Sequence, residues 1–160
     1  MSGIIIYTDG SSRGNPGRGG IGVVMISGKH RKEISEGYRH TTNNRMELLA
    51  VIRGLEAIKL RDSDVSIYSD SKYVIDSITK GWLYSWAKKP NFAGKKNEDL
   101  WRKYLEVSIG LNLRFIWVKG HAGNVENEHC DHLATDAAIY PDRVDSVFEN
   151  SQDLRNMKFL

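Results

Sequence analysis

The chain has 160 residues, enough for one core and too few for two ordinary domains, and its composition of 40% hydrophobic and 27% charged residues excludes a disordered or fibrous protein. It has no long apolar run, its start at Met1-Ser2-Gly3-Ile4 lacks the blocks of a signal peptide, and its single Cys130 cannot form an internal disulfide. A cytoplasmic monomer with no membrane partner is therefore expected. The net charge is +3, yet Lys80, Lys88, Lys89, Lys95 and Lys96 all fall in the acid-free stretch between Asp76 and Glu98, leaving the rest of the chain net negative. The basicity is a local patch suited to a polyanion.

The run from Ile4 to Tyr7 predicts a strand that stops at a Thr8-Asp9-Gly10 turn. After a glycine-rich stretch, Ile21 to Ile26 predicts a second strand, and Ser27-Gly28-Lys29-His30 turns the chain into a third over about 32–39, completing an antiparallel meander. From Asn44 the apolar residues Leu48, Val51, Ile52, Leu55 and Ile58 recur at helical spacing. Val65 to Ser69 predicts a strand, and Asp70-Ser71 a cap for a helix that Gly81 ends. Beyond the basic segment, Asn97 is placed to cap a helix with Trp101 and Tyr104 on one face. Leu111, Leu113, Phe115 and Trp117 alternate as a strand, and a helix over about 126–139 buries Cys130, Leu133, Ala134 and Ala138. Val144, Val147 and Phe148 offer a short apolar face, but a mixed-charge, partly mobile extension is expected from Asp142 to Leu160, and its removal should leave activity almost unchanged.

Topology gathers four acids. The first and third strands of a meander end on the same edge, and a right-handed helical crossover makes the fourth strand parallel to the third. Asp9, Glu47 and Asp70 then meet at that edge, and Asp131 joins them if the strand over 111–118 is also parallel. Singly, each has a structural role open to it: Asp9 an Asx turn, Glu47 the partner of Asn44 in a capping box, Asp70 an N-cap, Asp131 simple solvation. Together they need protons or cations to coexist, and hard oxygen ligands select magnesium, manganese or calcium over zinc.

The blocks Tyr7-Thr8-Asp9-Gly10-Ser11 with Gly14-Asn15-Pro16-Gly17, Thr42-Asn43-Asn44-Arg45-Met46-Glu47, Ser69-Asp70-Ser71, Trp117 to Gly123, and Cys130-Asp131-His132-Leu133-Ala134 closely resemble type 1 ribonuclease H from about Ile4 to Ala138. The resemblance implies an α/β ribonuclease H-like fold: a mixed five-stranded sheet, a three-strand antiparallel meander plus two parallel strands, flanked by helices. It implies a catalytic domain over 1–140, with a basic protrusion at about 81–97 and a C-terminal extension of unknown role over 141–160. It further implies an endonuclease that cuts the RNA strand of RNA/DNA hybrids by a two-metal-ion mechanism. Asp9, Glu47, Asp70 and Asp131 would be the catalytic and metal-binding carboxylates, with two Mg2+ ions in the substrate complex and Mn2+ able to substitute. His121 would be the mobile loop histidine, and Asn15, Asn43 and Asn44 would contact the hybrid.

Trp82 and Trp86, four residues apart, are expected to share a helix face, either as a small core or as stacking groups, while Lys88, Lys89, Lys95 and Lys96 are the stronger candidates for binding phosphate. A non-catalytic hybrid-binding module of the same fold is the main rival. A zinc site from His121, His129, Cys130 and His132 lacks paired cysteine spacing, and Gly14 to Gly20 lacks the Gly-Lys-Ser/Thr ending of a phosphate loop.

Overall fold

The apolar run at Ile4 opens a strand that does not stop at Thr8-Asp9-Gly10. In the computed structural model, which describes residues 3–121 and 123–157, β1 spans Gly3–Arg13 and carries Asp9 within it. The glycine-rich stretch supplies the reason. It forms most of β2 (Gly17–Ser27), which pairs antiparallel with β1 from Ile5↔Ile26 to Arg13↔Arg18, so the ladder continues past the expected turn with Asp9 opposite Gly22. β3 (His30–Thr41) completes the meander, and α1 (Asn43–Glu56) crosses over to β4 (Asp64–Ser69), which lies parallel to β1. Next come α2 (Lys72–Thr79), α3 (Trp82–Ala87), α4 (Glu98–Val107) and β5 (Asn112–Trp117), parallel to β4; α5 (Val125–Ile139) and α6 (Ser146–Met157) end the described chain. The sheet order is β3-β2-β1-β4-β5, which is the expected mixed five-stranded sheet.

Helices approach the sheet closely because glycines remove the side chains between them. A Cβ on Gly10 would lie 2.2 Å from the backbone carbon of Met46 in α1, while Cβ atoms on Gly20, Gly22 and Gly37 would lie 2.0–2.1 Å from carbonyl oxygens of Ala134, Cys130 and Ala137 in α5. These backbone-to-backbone contacts fix where Glu47 and Asp131 stand along β1. The core sits between the sheet and α1, α2 and α4, where Ile6, Leu48, Ile52, Leu55, Ile67, Trp101 and Tyr104 are all buried.

The tail differs from the expected mobile extension. Arg143 bridges Tyr38 of β3, exchanging backbone hydrogen bonds with Gly37 and Arg39 at 3.0 Å, and Asp145 is only 9% exposed. Of its apolar residues, Val144 and Val147 stay exposed, and only half-buried Phe148 meets the domain, its ring 5.5 Å from that of His40. Polar contacts from Arg143, Asp145 and Glu149 supply the rest, and hydrophobic spacing gives no sign of those.

Gly22→Ala should lower stability by about 1–3 kcal/mol, the usual cost of overpacking, because the added methyl meets the Cys130 carbonyl. Thermal denaturation checks this. An unchanged Tm would show that α5 is not held by that contact.

Candidate functional site

Each structural role open to the acids is filled by something else. Thr42 caps α1, its Oγ1 accepting the Arg45 backbone N–H, so Glu47 stands beyond the first turn and belongs to no capping box. Its Oε1 instead accepts the Gly10 backbone N–H at 3.1 Å. Ser71, not Asp70, caps α2 by accepting from the Val74 N–H. Asp9 lies in a strand rather than an Asx turn.

Carboxylate oxygens of Asp9, Glu47 and Asp70 all lie within 4.8 Å of one another, and Asp131 of α5 hydrogen-bonds Asp9. At about 4 Å and an effective dielectric of about 20, two such charges repel by roughly 4 kcal/mol. Protons answer the repulsion. Burial, the nearby Asp70 charge and the Asp131 hydrogen bond push Asp9 up to about 8, and burial with the Asp9 and Asp70 charges holds Glu47 well above the usual carboxylate range. Glu47 Oε2 is buried with no donor but a proton shared with Asp9. A buried carboxylate oxygen facing other carboxylates is costly unless a cation meets it, so the donor set fits a hard divalent metal.

The acids line a cleft of about 450 Å³ with Asn43, Asn44 and Lys72. Trp117 braces two of the lining residues from behind: its Nε1 donates to the Asp70 carbonyl, and the Lys72 ammonium sits 4.1 Å from its ring centre. A second cleft of about 810 Å³ shares Asn44 and runs past Asn15, Lys95, Lys96 and Arg102 to α6. Asn15 Oδ1 accepts the Asn43 backbone N–H, tying two of the polar candidates together.

Other expected site residues are dispersed. Lys88 and Lys89 are exposed and line neither cleft. Trp82 and Trp86 do not share an environment, contrary to expectation. Trp82 is 45% exposed with Lys80 beside its ring, whereas Trp86 packs edge-on against Phe92 and Trp101, because the buried Phe92 draws it inward. His121 ends a short turn over Lys119–His121, and its side chain lies outside the described residues. Of the zinc candidates, His129 bonds Glu33, and burial, with the Asp9 charge adding, pushes the Cys130 thiol up to about 12. Sequence reasoning missed Arg45, whose buried guanidinium bonds both Asp99 and Asp145; the only signal was a charged residue inside an otherwise buried helix turn.

Fold and site together define an α/β enzyme of the carboxylate, divalent-metal type. The family model for RNase H matches residues 1–139. The chain is 54% identical to the ribonuclease H of Syntrophus aciditrophicus over 139 residues, covering 84% of this chain and 80% of that one, and 48% identical to that of Rippkaea orientalis over 152 residues, covering 92% and 93%. Among solved structures it is similar to LC9-RNase H1, described as a type 1 RNase H with the type 2 active-site motif (TM-score 0.77, 32% identity, 86% of this chain and 72% of that one). It is also similar to LC11-RNase H1 in complex with an RNA/DNA hybrid (TM-score 0.64, 30% identity, 83% and 94%). The chain belongs to the ribonuclease H family.

The raised carboxyls set a pH dependence. Folded protein holds protons that the unfolded chain releases above an ordinary Asp value of 3.8, so this contribution is full below that pH and is lost as pH rises toward about 8. The Tm of metal-free protein should therefore fall between pH 5 and 8, by about 2–4 °C for each kcal/mol lost in a chain of this size. Asp9→Asn should flatten the fall. A metal-free Tm that rises across this window would contradict the crowding.

Proposed function

We propose that this chain is a cytoplasmic, monomeric endonuclease that hydrolyses the RNA strand of RNA/DNA hybrids, leaving 5′-phosphate and 3′-hydroxyl ends. The observation that carries the reading is the cluster of the Asp9, Glu47 and Asp70 carboxylates, the first two buried, whose cleft adjoins a basic one. The relative solved with an RNA/DNA hybrid supports the choice of substrate.

Asp9, Glu47, Asp70 and Asp131 are the groups that would hold two Mg2+ ions, or Mn2+ in their place. Bound there, the metals would supply the positive charge that activates water and stabilises the leaving oxygen. Asp9, whose carboxylate neighbours those of Glu47, Asp70 and Asp131, would help to hold both ions, and Asp131 would act on the side of water attack. Glu47 is oriented by the Gly10 N–H, and Asp70 by the backbone that Trp117 grips. His121, between Gly120 and Gly123, is assigned to a mobile role in proton or product departure. Asn15, Asn43 and Asn44 are suited to the RNA strand, whose 2′-hydroxyl both donates and accepts. Lys95 and Lys96 follow the polyanion along the second cleft, with exposed Trp82 and then Lys88 and Lys89 further out. Trp86 supports this region from within. The catalytic unit is assigned to residues 1–140.

Digestion of labelled RNA/DNA, RNA/RNA and DNA/DNA duplexes, with magnesium or with chelator, tests the proposal. Cleavage of the RNA strand of the hybrid alone, and only with metal, is expected, and Asp70→Asn should abolish it while keeping the fold. Tight hybrid binding without cleavage would favour the non-catalytic module.

The two lysine pairs are expected to separate. Each lost phosphate contact flattens log affinity against log salt by about 0.7–0.9, so alanine at Lys95 and Lys96 should flatten the hybrid-binding slope by about 1.4–1.8. Alanine at Lys88 and Lys89 should do less. Equal slopes for all variants would remove the basic segment from the interface.

A further inference from the structure

Arg45 is a cation inside the protein, 4% exposed, between Asn44 and Met46 at the start of α1. Acids from two distant parts of the chain meet its guanidinium. Asp99, in the first turn of α4, accepts at 2.9 and 2.7 Å, and Asp145, in the tail, accepts at 2.7 and 2.9 Å. Asn97 Oδ1 also accepts from Arg45, while its Nδ2 donates to the Tyr73 hydroxyl. Asp145 Oδ2 accepts a second bond, from Thr41 Oγ1 at 2.7 Å. Thr41 is the last residue of β3 and adjoins the cap Thr42, so the tail carboxylate grips both sides of the turn that presents Asn43 and Asn44.

Stability alone does not call for this arrangement. Replacing a buried ion triad by apolar groups of similar volume is often neutral or stabilising. What forked guanidinium-to-carboxylate bonds supply is direction, since they hold partners in one plane at fixed spacing. The partners fixed here are the start of α1, the base of the basic segment at Asn97, and the tail. All three border the larger cleft, which Lys95, Lys96 and Asn44 line from one side and Phe148, Ser151 and Gln152 of α6 from another.

We propose that Asp145, and with it the segment after Tyr140, is a positioning element of the hybrid-binding site. It holds the Thr42–Asn44 turn and Asn97 in register with Lys95 and Lys96, so that the duplex meets a preformed surface. The inference rests on the hybrid-cleaving reading above and revises the expectation that the tail is dispensable.

Steady-state kinetics on a labelled hybrid, with the full chain and well below the Tm of every variant, test it. Asp145→Asn keeps the shape but removes the charge. It should raise KM by about 5-fold or more with kcat within about 2-fold, the signature of lost uniform binding. Truncation after Tyr140 should raise KM further. Thr41→Val, which removes one grip and leaves the Arg45 pairing intact, should raise KM in the same sense by less, and it carries the test if Asp145→Asn does not fold. Folded variants with a lowered Tm but parental KM and kcat would overturn the proposal by reducing the triad to a structural tie, and so would a fall in kcat at constant KM. Direct binding of the hybrid in chelator, measured alongside, separates this outcome from failure of the cleavage reading. A parent that binds without cutting overturns that reading, while its affinity relative to Asp145→Asn still decides the role of the tail.

Discussion

Carboxylates that repel one another are held together here by two helices pressed against the three strands of the meander so closely that no Cβ fits between. α1 lies on Gly10 and α5 on Gly20, Gly22 and Gly37, and each contact is backbone against backbone. Packing of this kind does not relax by rotating a side chain, so the acids cannot drift apart to relieve their repulsion. The cost appears as protons retained on Asp9 and Glu47 and as a buried Glu47 oxygen whose neighbours are other carboxylates. A divalent cation answers all three, and the rigid seating means that little reorganisation is needed when it arrives.

Around this centre the charge is graded. The acidic cleft opens at Asn44 into the larger one edged by Lys95, Lys96 and Arg102. In the larger cleft the cations Lys95, Lys96 and Arg102 stand beside Glu98 and Asp99, and Asp99 is paired with Arg45, so a polyanion lying across both clefts would meet its densest uncompensated carboxylates at the acidic one. Lys72 lines the acidic cleft itself, a cation at the start of α2 where the helix dipole disfavours it, resting on the Trp117 ring. A nuclease that must hold phosphate away from its own acids until metal is present has use for that gradient.

Much of this was legible in the sequence. A meander followed by a helical crossover fixes which strand ends share an edge, and the acids at 9, 47 and 70 follow from it with no knowledge of side-chain geometry. The length of β1 was hidden because glycines read as turn signals, whereas here they make room for helices. Thr42 took the cap expected of Asn44, and Ser71 rather than Asp70 took the next, choices of one or two residues that spacing alone does not decide. Trp82 and Trp86 satisfy the four-residue rule, yet Phe92 draws only Trp86 inward. The docking of the tail was legible only in Phe148, which packs on His40; Asp145 finds Arg45 a hundred residues away through polar contacts that leave no periodic trace.

The central claim is that metal replaces protons in a crowded carboxylate site. The direct measurement is calorimetry of Mg2+ binding at pH 7, below the value of about 8 to which Asp9 is raised, in buffers of differing ionisation enthalpy. The expected result is a binding heat that varies with the buffer, corresponding to about one proton released per protein, with the release fading at higher pH and diminished in Glu47→Gln. A binding heat independent of the buffer at pH 7 would mean that the carboxylates were already ionised, and would contradict the account.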